Sequence, residues 1–504
     1  MAKILGVSAS LRNARFGAGS ELLLDEIKDI QSKEELYVYL NKQSKIRAED
    51  FLEAGKEKGL RFDEIYIELR KLKSDRGLSN SEAALVVALW GAIQEDAEID
   101  HLPLANHFLP TGKIRNPEQL RQKVLEADGI ILATPVYFGD RSSLSQSFIE
   151  FIHSDPYLRK HVKNKVYSGV AVGAKRNGGQ ETTLIYQMID MVNLNMLAVG
   201  NDHRTTAQYG GTAVGGDVGT ACQDQYGLET CIGAGYRVAA VAKLLESAKK
   251  YRLKDKLNID LWLLQDDRSS TGMGYLKRWI DELSHNHPEV NFRLFDFTQE
   301  NVTRCIACDI CPITQGSKYE YHCIITTEKD IFKKMHMELL SADAVIPCAY
   351  SPKNREDINS IYQQFIERSR YLRRDHYAFD NLLTAPFVIS EIGANQNLHI
   401  RMLTSMIRHH TVLHHPLIGV EHQGNLLNFP ELINQGKVLI ENTIKLTIGR
   451  QFITNNQNTI YNPLGYVISA QQHQESLESG ATQKIMEEDR LIQLARKDRI
   501  EAEL

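Results

Sequence analysis

The chain has 504 residues, a net charge of −5 and 42% hydrophobic residues, the make-up of a soluble globular protein with room for roughly two to four domains. So small an acidic excess gives no electrostatic reason to bind nucleic acid or an anionic membrane, and no apolar stretch approaches the ~20 residues of a membrane-spanning helix. No signal-peptide layout opens the chain, and four of the seven cysteines crowd between 305 and 323, so a cytoplasmic protein that uses thiolates for metal rather than for disulfides is expected.

Lys3-Ile-Leu-Gly-Val7 reads as a first strand and runs into Ser8-Ala-Ser10-Leu-Arg12. Hydroxyls and an arginine directly after a strand suit a phosphate held by side chains and backbone N–H groups. Residues 17 to 75 are highly charged and contain short amphipathic segments at Glu21 to Ile30, Lys33 to Leu40 and Phe62 to Leu72. Ser79 and Glu82 stand at capping-box spacing before an apolar helix pattern from Ala83 to Ile93. The preferred parse inserts about sixty residues (17–75) inside the phosphate loop, so that Ser79, Asn80 and Ser81 complete the site that Ser10 and Arg12 begin. The alternative starts the helix at Gly19-Ser20 and places the extra residues after it.

Ala97 to Leu104 fits a second strand. Asp128 to Thr134 is an unbroken apolar run, as in a strand buried on both faces of a parallel sheet. Pro135 ends it, and Val136-Tyr137-Phe138-Gly139-Asp140 leads to a helix capped by Ser142 or Ser143. Strand, aromatic-plus-glycine loop and capped helix describe a ligand edge at the carboxyl end of a doubly wound sheet, although an ordinary turn has the same outline. Val166 to Val172 is a further buried strand, ending in Gly173-Ala-Lys-Arg-Asn177-Gly178-Gly179-Gln180-Glu181.

These three loops together resemble the flavodoxin-like NAD(P)H-dependent FMN reductases and their iron–sulfur flavoprotein relatives. Ser10 and Arg12 match the first loop of that family, Pro135, Tyr137, Phe138 and Gly139 the second, and Gly178 to Glu181 the third; Ala9 replaces a family glycine. The resemblance implies FMN contacts from Ser10, Arg12, Ser79, Asn80, Ser81, Pro135, Val136, Tyr137, Phe138, Gly139, Gly173, Asn177, Gly178 and Gly179. It further implies NAD(P)H as co-substrate, a small-molecule acceptor and a homo-oligomer. No side chain stands out as a catalytic acid or base.

A helix is expected over Thr182 to Val192 and a strand over Asn195 to Val199, followed by a glycine-rich stretch from Tyr209 to Gly235 that resembles the family's loop over the flavin, and a helix over Arg237 to Lys249. A second round of the pattern then begins. Strands are expected at Leu257 to Leu264, Val290 to Phe297, Ala342 to Ala349 and Pro386 to Ser390, with a helix over Tyr275 to Leu283. The fold class expected is therefore α/β, two flavodoxin-like doubly wound parallel-sheet domains in tandem with the second degenerate. Their bounds are 1–250, with the insertion 17–75, and 257–450, before a polar tail at 451–504. Asp266-Asp267 stands in the second phosphate loop and Cys348-Ala-Tyr350-Ser-Pro352 in the second aromatic loop. Like-charge repulsion argues against FMN there.

Cys305, Cys308 and Cys311 at three-residue spacing, then Cys323, form a set of thiolates able to share one metal centre if the chain turns tightly. The iron–sulfur flavoproteins carry a compact cysteine set at this point of the fold, so the resemblance implies a 4Fe–4S cluster. Structural zinc, or no ligand at all, fits the same spacing. His409, His410, His414 and His415 have no acidic or thiol companion at ligand spacing and are read as a solvated or interface helix, and Arg368, Arg370, Arg373 and Arg374 as interface ion pairs or anion holders. The function expected is an FMN-dependent oxidoreductase driven by NAD(P)H, with electrons relayed through the cluster to an acceptor or a redox partner protein. A flavoenzyme dedicated to one metabolite or peptide and a non-catalytic electron carrier are the alternatives. The insertion is expected to shape the acceptor pocket and to add little to FMN affinity.

Overall fold

A computed structural model of the chain describes residues 1–10, 19–55, 58–71, 77–203, 205, 209–253, 255–265, 270–300, 302–308, 311, 321, 323–353, 359–374, 377–394 and 397–452. The chain divides into two compact units, Met1–Glu246 and Ser247–Leu504. The polar tail expected at 451–504 lies outside the described residues from 453 onward.

In the first unit β1 (Lys3–Ser8), β2 (Glu98–Pro103), β3 (Gly129–Pro135) and β4 (Val166–Gly173) pair in parallel in the order β2-β1-β3-β4. Registers such as Leu5 with Ile130 and Ile130 with Tyr167 hold the strands together. The fifth position is split between β5 (Leu197–Ala198), beside the start of β4, and β6 (Gly210–Val214), beside its end. Second, first, third, fourth, fifth is the spatial order of a flavodoxin-like sheet. β4 is buried along its whole length, as required of a strand with helices over both faces.

The helix that packs on β1, β3 and β4 is Asn80–Ile93, buried from Ser81 to Ala92. The helix Gly19–Lys28 lies against β2 and against Asn80–Ile93 instead. The helix over the centre of the sheet is thus Asn80–Ile93, while Gly19–Lys28 lies at its β2 edge. The insertion contains the helices Gly19–Lys28, Lys33–Glu53 and Phe62–Lys71. The middle one continues past Leu40, because no helix breaker occurs before Gly55.

Part of the glycine-rich stretch is not a loop. Gly210 to Val214 form β6, and a β-carbon on Gly210 would stand 2.3 Å from the Gly169 carbonyl oxygen. Close strand approach, rather than a turn, is what glycine serves at that position.

In the second unit β7 (Leu257–Leu263) pairs in parallel with β8 (Val290–Asp296) and with β9 (Ala344–Ser351). Strand four is broken into β10 (Leu383–Thr384) and β11 (Phe387–Glu391), and strand five into β12 (Val412–Leu413) and β13 (Leu417–His422). A short antiparallel β14 (Asn425–Leu426) closes the edge. The strand order matches that of the first unit. Trp262, Phe365 and Phe379 centre its core, with ring centroids 5.0 and 5.6 Å from the Trp262 ring.

The histidines are a correction to the sequence reading. His409, His410 and His414 are buried, at the turn after the helix Leu398–Met406 and at the break between β12 and β13. His409 bonds the Ser369 hydroxyl at 3.0 Å and His410 pairs with Asp380 at 3.1 Å. They are buried packing groups, not a solvated helix face. Among the described residues, no helix is long and apolar enough to cross a membrane.

Candidate functional site

Four loops meet at the carboxyl edge of the first unit's sheet. After β1 the Ala9 N–H continues the ladder to the Ala133 carbonyl (2.9 Å), and Ser10 follows, buried. Arg12 lies outside the described residues. Ser142 joins this loop to the next: its hydroxyl donates to the Ala9 carbonyl at 2.8 Å, and its N–H donates to the Thr134 hydroxyl at 3.0 Å. From the sequence Ser142 was legible only as a helix cap.

The second loop extends β3 by one bond, Val136 N–H to the Val172 carbonyl, and then closes in a reciprocal pair between Tyr137 and Asp140 at 2.8 and 3.0 Å. Its two central residues have positive φ, 53° at Phe138 and 80° at Gly139. That is a type I′ turn, which glycine enters freely and a bulky residue enters at a cost of about 1–2 kcal/mol. Phe138 nevertheless occupies it with its ring wholly in solvent (108% exposed), beside a half-exposed Tyr137. An aromatic ring in a positive-φ turn, packed on nothing of its own, contributes little to the fold.

The third loop turns back through Lys175 and Gly178, with Asn177 exposed at φ 59°. Gln180 locks it: its side-chain oxygen accepts from the Gly178 N–H, and its amide donates to the Lys175 carbonyl, both at 2.8 Å. The Gln180 side chain also fills the space over Gly173. Gly179 begins the helix Gln180–Asn193 against Gly139, so the second and third loops touch.

The fourth loop, after β6, is bonded to the third by Gly215 N–H to the Gly173 carbonyl at 2.9 Å. Asn80 holds it from the other side. Its amide donates to the Gly215 and Asp217 carbonyls at 3.2 and 2.8 Å, and its side-chain oxygen accepts from the Ala221 N–H at 3.1 Å. The Asn80 side chain is therefore committed to this loop. Ser79 and Glu82 form the reciprocal capping box that their spacing predicts, and Ser79 and Ser81 are both buried. With Glu82 capped, the backbone N–H groups at 80 and 81 remain without intrahelical partners.

Two helix starts, at 80 and at 180, thus border one edge and give it the partial positive potential that favours an anionic group. Arg141 adds nothing to it, being spent on Asp190 (2.5 Å) and Gln146 (2.8 Å). Arg176 pairs with Asp224, whose carboxylate also accepts the Val214 N–H at 2.7 Å. No spacing in the sequence signals that pair. Exposed aromatic rings, glycine approach and neutral donors at helix starts together fit a flat ring carrying a phosphate tail.

The second unit's equivalent edge is built differently. β9 runs on to Ser351 with no Tyr-Phe-Gly turn, and the Tyr350 hydroxyl donates to the buried Glu421 carboxylate at 3.2 Å. Asp266 and Asp267 lie outside the described residues.

The cysteines do not come together as the spacing suggests. Among the described residues, no three or more Cys, His, Asp or Glu side chains form a group able to hold a metal. Cys305, Cys308, Cys311 and Cys323 are all half-buried, and none is in a disulfide. The Cys323 sulfur accepts from the Arg368 guanidinium at 2.6 Å, and burial raises its thiol pKa despite that cation. Arg368 in turn bonds Asp330 and the Tyr321 hydroxyl, each at 2.7 Å, with both charged side chains fully buried.

Comparison with known proteins places the chain among redox flavoproteins. The profile described as NADPH-dependent FMN reductase matches residues 74–210. An iron-sulfur flavoprotein of Methanocaldococcus jannaschii is 42% identical over 187 residues, covering 34% of this chain and 95% of that protein. An NAD(P)H dehydrogenase (quinone) of Aromatoleum aromaticum is 26% identical over 140 residues, covering 26% of this chain and 67% of that protein. A WrbA-like flavodoxin of Agrobacterium tumefaciens, a solved structure, is 22% identical with a TM-score of 0.25, over 32% of this chain and 89% of that one.

Proposed function

Because the chain belongs to the family of NADPH-dependent FMN reductases, we propose that its first unit binds one FMN and passes reducing equivalents from NADPH or NADH to a small acceptor. The observation that carries this reading is the Tyr137–Asp140 turn. It holds the Phe138 ring in solvent at positive φ, beside a glycine contact that leaves room for a planar ligand. FMN, when bound, supplies the capacity to accept and donate hydride, which no side chain has.

The chain's own part is binding and orientation. Ser10, Ser79, Ser81 and the N–H groups at the start of the helix Asn80–Ile93 would hold the phosphate. Tyr137 and Phe138 offer faces for the ring system, and Gly139, Gly178 and Gly179 let backbone approach its edge. The tie of Ser142 to Ala9 keeps the phosphate and ring portions in register. The name of the Aromatoleum relative supports a reduced nicotinamide as donor. The Tyr350–Glu421 pair, unsuited to an anion, supports a single FMN per chain. A 4Fe–4S cluster rests on the cysteine spacing and on the name of the archaeal relative alone, and no electron step is routed through it here.

Flavin extraction from the purified chain should give one equivalent of FMN, and NADPH or NADH should bleach its visible band without a partner protein. Flavin reducible only through a partner would make the chain an electron carrier. Absence of flavin binding would refute the reading.

A further inference from the structure

The fourth loop is held not only by Asn80 but by the insertion. Ser44, in the helix Lys33–Glu53, donates its hydroxyl to the Gly219 carbonyl at 2.8 Å. Gly219 has φ 73°, and a β-carbon there would stand 2.7 Å from the Ser44 oxygen, so backbone and serine touch directly. Ser44 is itself well anchored. A β-carbon on Gly77 would lie 2.1 Å from the Gln43 carbonyl oxygen and 2.6 Å from the Arg47 nitrogen, so the chain leading into Ser79 runs along this part of the helix. At the start of the same helix, Lys33 and Tyr37 both bond the Glu229 carboxylate, at 2.9 and 2.8 Å. Glu229 belongs to the helix Gln225–Ser247, which follows the fourth loop.

The insertion helix is thus fixed to the chain on both sides of the loop it touches. Residues 215–219 sit between Ser44 and Asn80, and Gly215 and Gly216 lie against Gly173 and Ala174 of the third loop. The fourth loop borders this edge of the sheet, and its freedom to move depends on what holds it.

We propose that the insertion is a positioning element of the flavin site, in which Ser44 pins the 215–219 loop and so sets how fast FMN is released. This rests on the FMN reading above and assigns the insertion a part in flavin retention that its amphipathic pattern does not suggest. Ser44 touches no reacting group; it acts through the loop.

The test uses the full-length holoprotein. FMN release is followed by the recovery of free-flavin fluorescence after dilution, and unfolding of the flavin-free protein is followed in parallel. Ser44→Ala should speed release about 3- to 10-fold, the effect of one lost hydrogen bond of ordinary strength, while the flavin-free unfolding midpoint stays at the wild-type value. Ser44→Thr, which keeps the hydroxyl, should restore slow release. Gly219→Ala should speed release further, because it strains φ and pushes against Ser44. Arg61→Ala, in an exposed ion pair with Asp63 elsewhere in the insertion, should change nothing. Wild-type release from both Ser44→Ala and Gly219→Ala would overturn the proposal, as would a fall in flavin-free stability that accounts for the faster release. Failure of the wild-type chain to hold FMN would instead remove the functional reading beneath it.

Discussion

A β-carbon added to Gly179 would stand 2.7 Å from the Gly139 α-carbon, closer than real β-carbon contacts run. The loops after β3 and β4 therefore meet backbone to backbone, and this contact aims the Tyr137–Phe138 pair. Gly179 also has φ 104°, which an alanine adopts only with strain. Gly179→Ala should push the two loops apart and weaken FMN binding at least tenfold, about 1.4 kcal/mol. A fluorescence titration measures it, and wild-type affinity would mean that the loop contact is incidental to the ligand.

Phe138 holds a positive φ that no internal packing of its ring accounts for. Its ring is fully exposed, so replacing it removes no internal packing. Phe138→Gly should stabilise the flavin-free first unit by about 1 kcal/mol through relief of the positive φ. The same change should weaken FMN binding severalfold through loss of a stacking face of about 0.5–1.5 kcal/mol. Thermal unfolding without flavin and FMN titration should thus move in opposite directions. If both fall, the ring supports the fold and not the ligand.

Arg368 is the buried charge on which the cysteine segment rests. It shares one guanidinium among Asp330, Tyr321 and Cys323. Arg368→Met would leave the Asp330 carboxylate unpaired in the core and should cost roughly 3–5 kcal/mol in the second unit. Cys323→Ser keeps an acceptor for the guanidinium and should cost far less, with iron and sulfide content unchanged from wild type. A drop in bound iron on Cys323→Ser would show instead that this sulfur leaves Arg368 to ligate a metal.

How much was legible beforehand follows from which forces are local. The strands β1 and β3 announce themselves as nearly continuous apolar runs, because burial on both faces leaves no alternation. Ser79 and Glu82 announce a helix start because a capping box is complete within four residues of sequence. The aromatic turn was likewise visible as a motif, although the positive φ of Phe138 was not, since phenylalanine does not ordinarily take it. What stayed hidden joins distant segments. The Asn80 side chain clasps a loop beginning at Gly215, and Ser44 reaches Gly219 across 175 positions. The cysteine spacing was read without Arg368, which reaches Cys323 from 45 positions away. The histidines were read as a solvated or interface helix because no acidic or thiol companion stands at ligand spacing, whereas three of the four are buried at the end of a helix and a strand break.

Those histidines set the response to acid. Burial is the main cause holding His101 down to about 4, His409 to about 3 and His414 to about 4. Unfolded, each would titrate near 6.5. Below that value the unfolded chain takes up protons that the folded chain refuses, so stability falls as pH drops from about 6.5 toward 4, by up to about 1.4 kcal/mol per pH unit for each histidine. Asp260 works in the opposite sense: burial, outweighing its bond to Arg293, raises it to about 6, above its unfolded value. Between about 6 and 4 the folded chain binds that proton first, which offsets one histidine. The first unit contains His101, and the second contains His409 and His414 against Asp260. Each unit is therefore left with one uncompensated histidine from this set, or about 1.4 kcal/mol lost per pH unit. Denaturant unfolding at pH 7, 6 and 5 should show that decline. His409→Gln should flatten it for the second unit while leaving the first unchanged. An unaltered slope in His409→Gln would mean that acid unfolding is governed by carboxylates elsewhere and not by these buried rings.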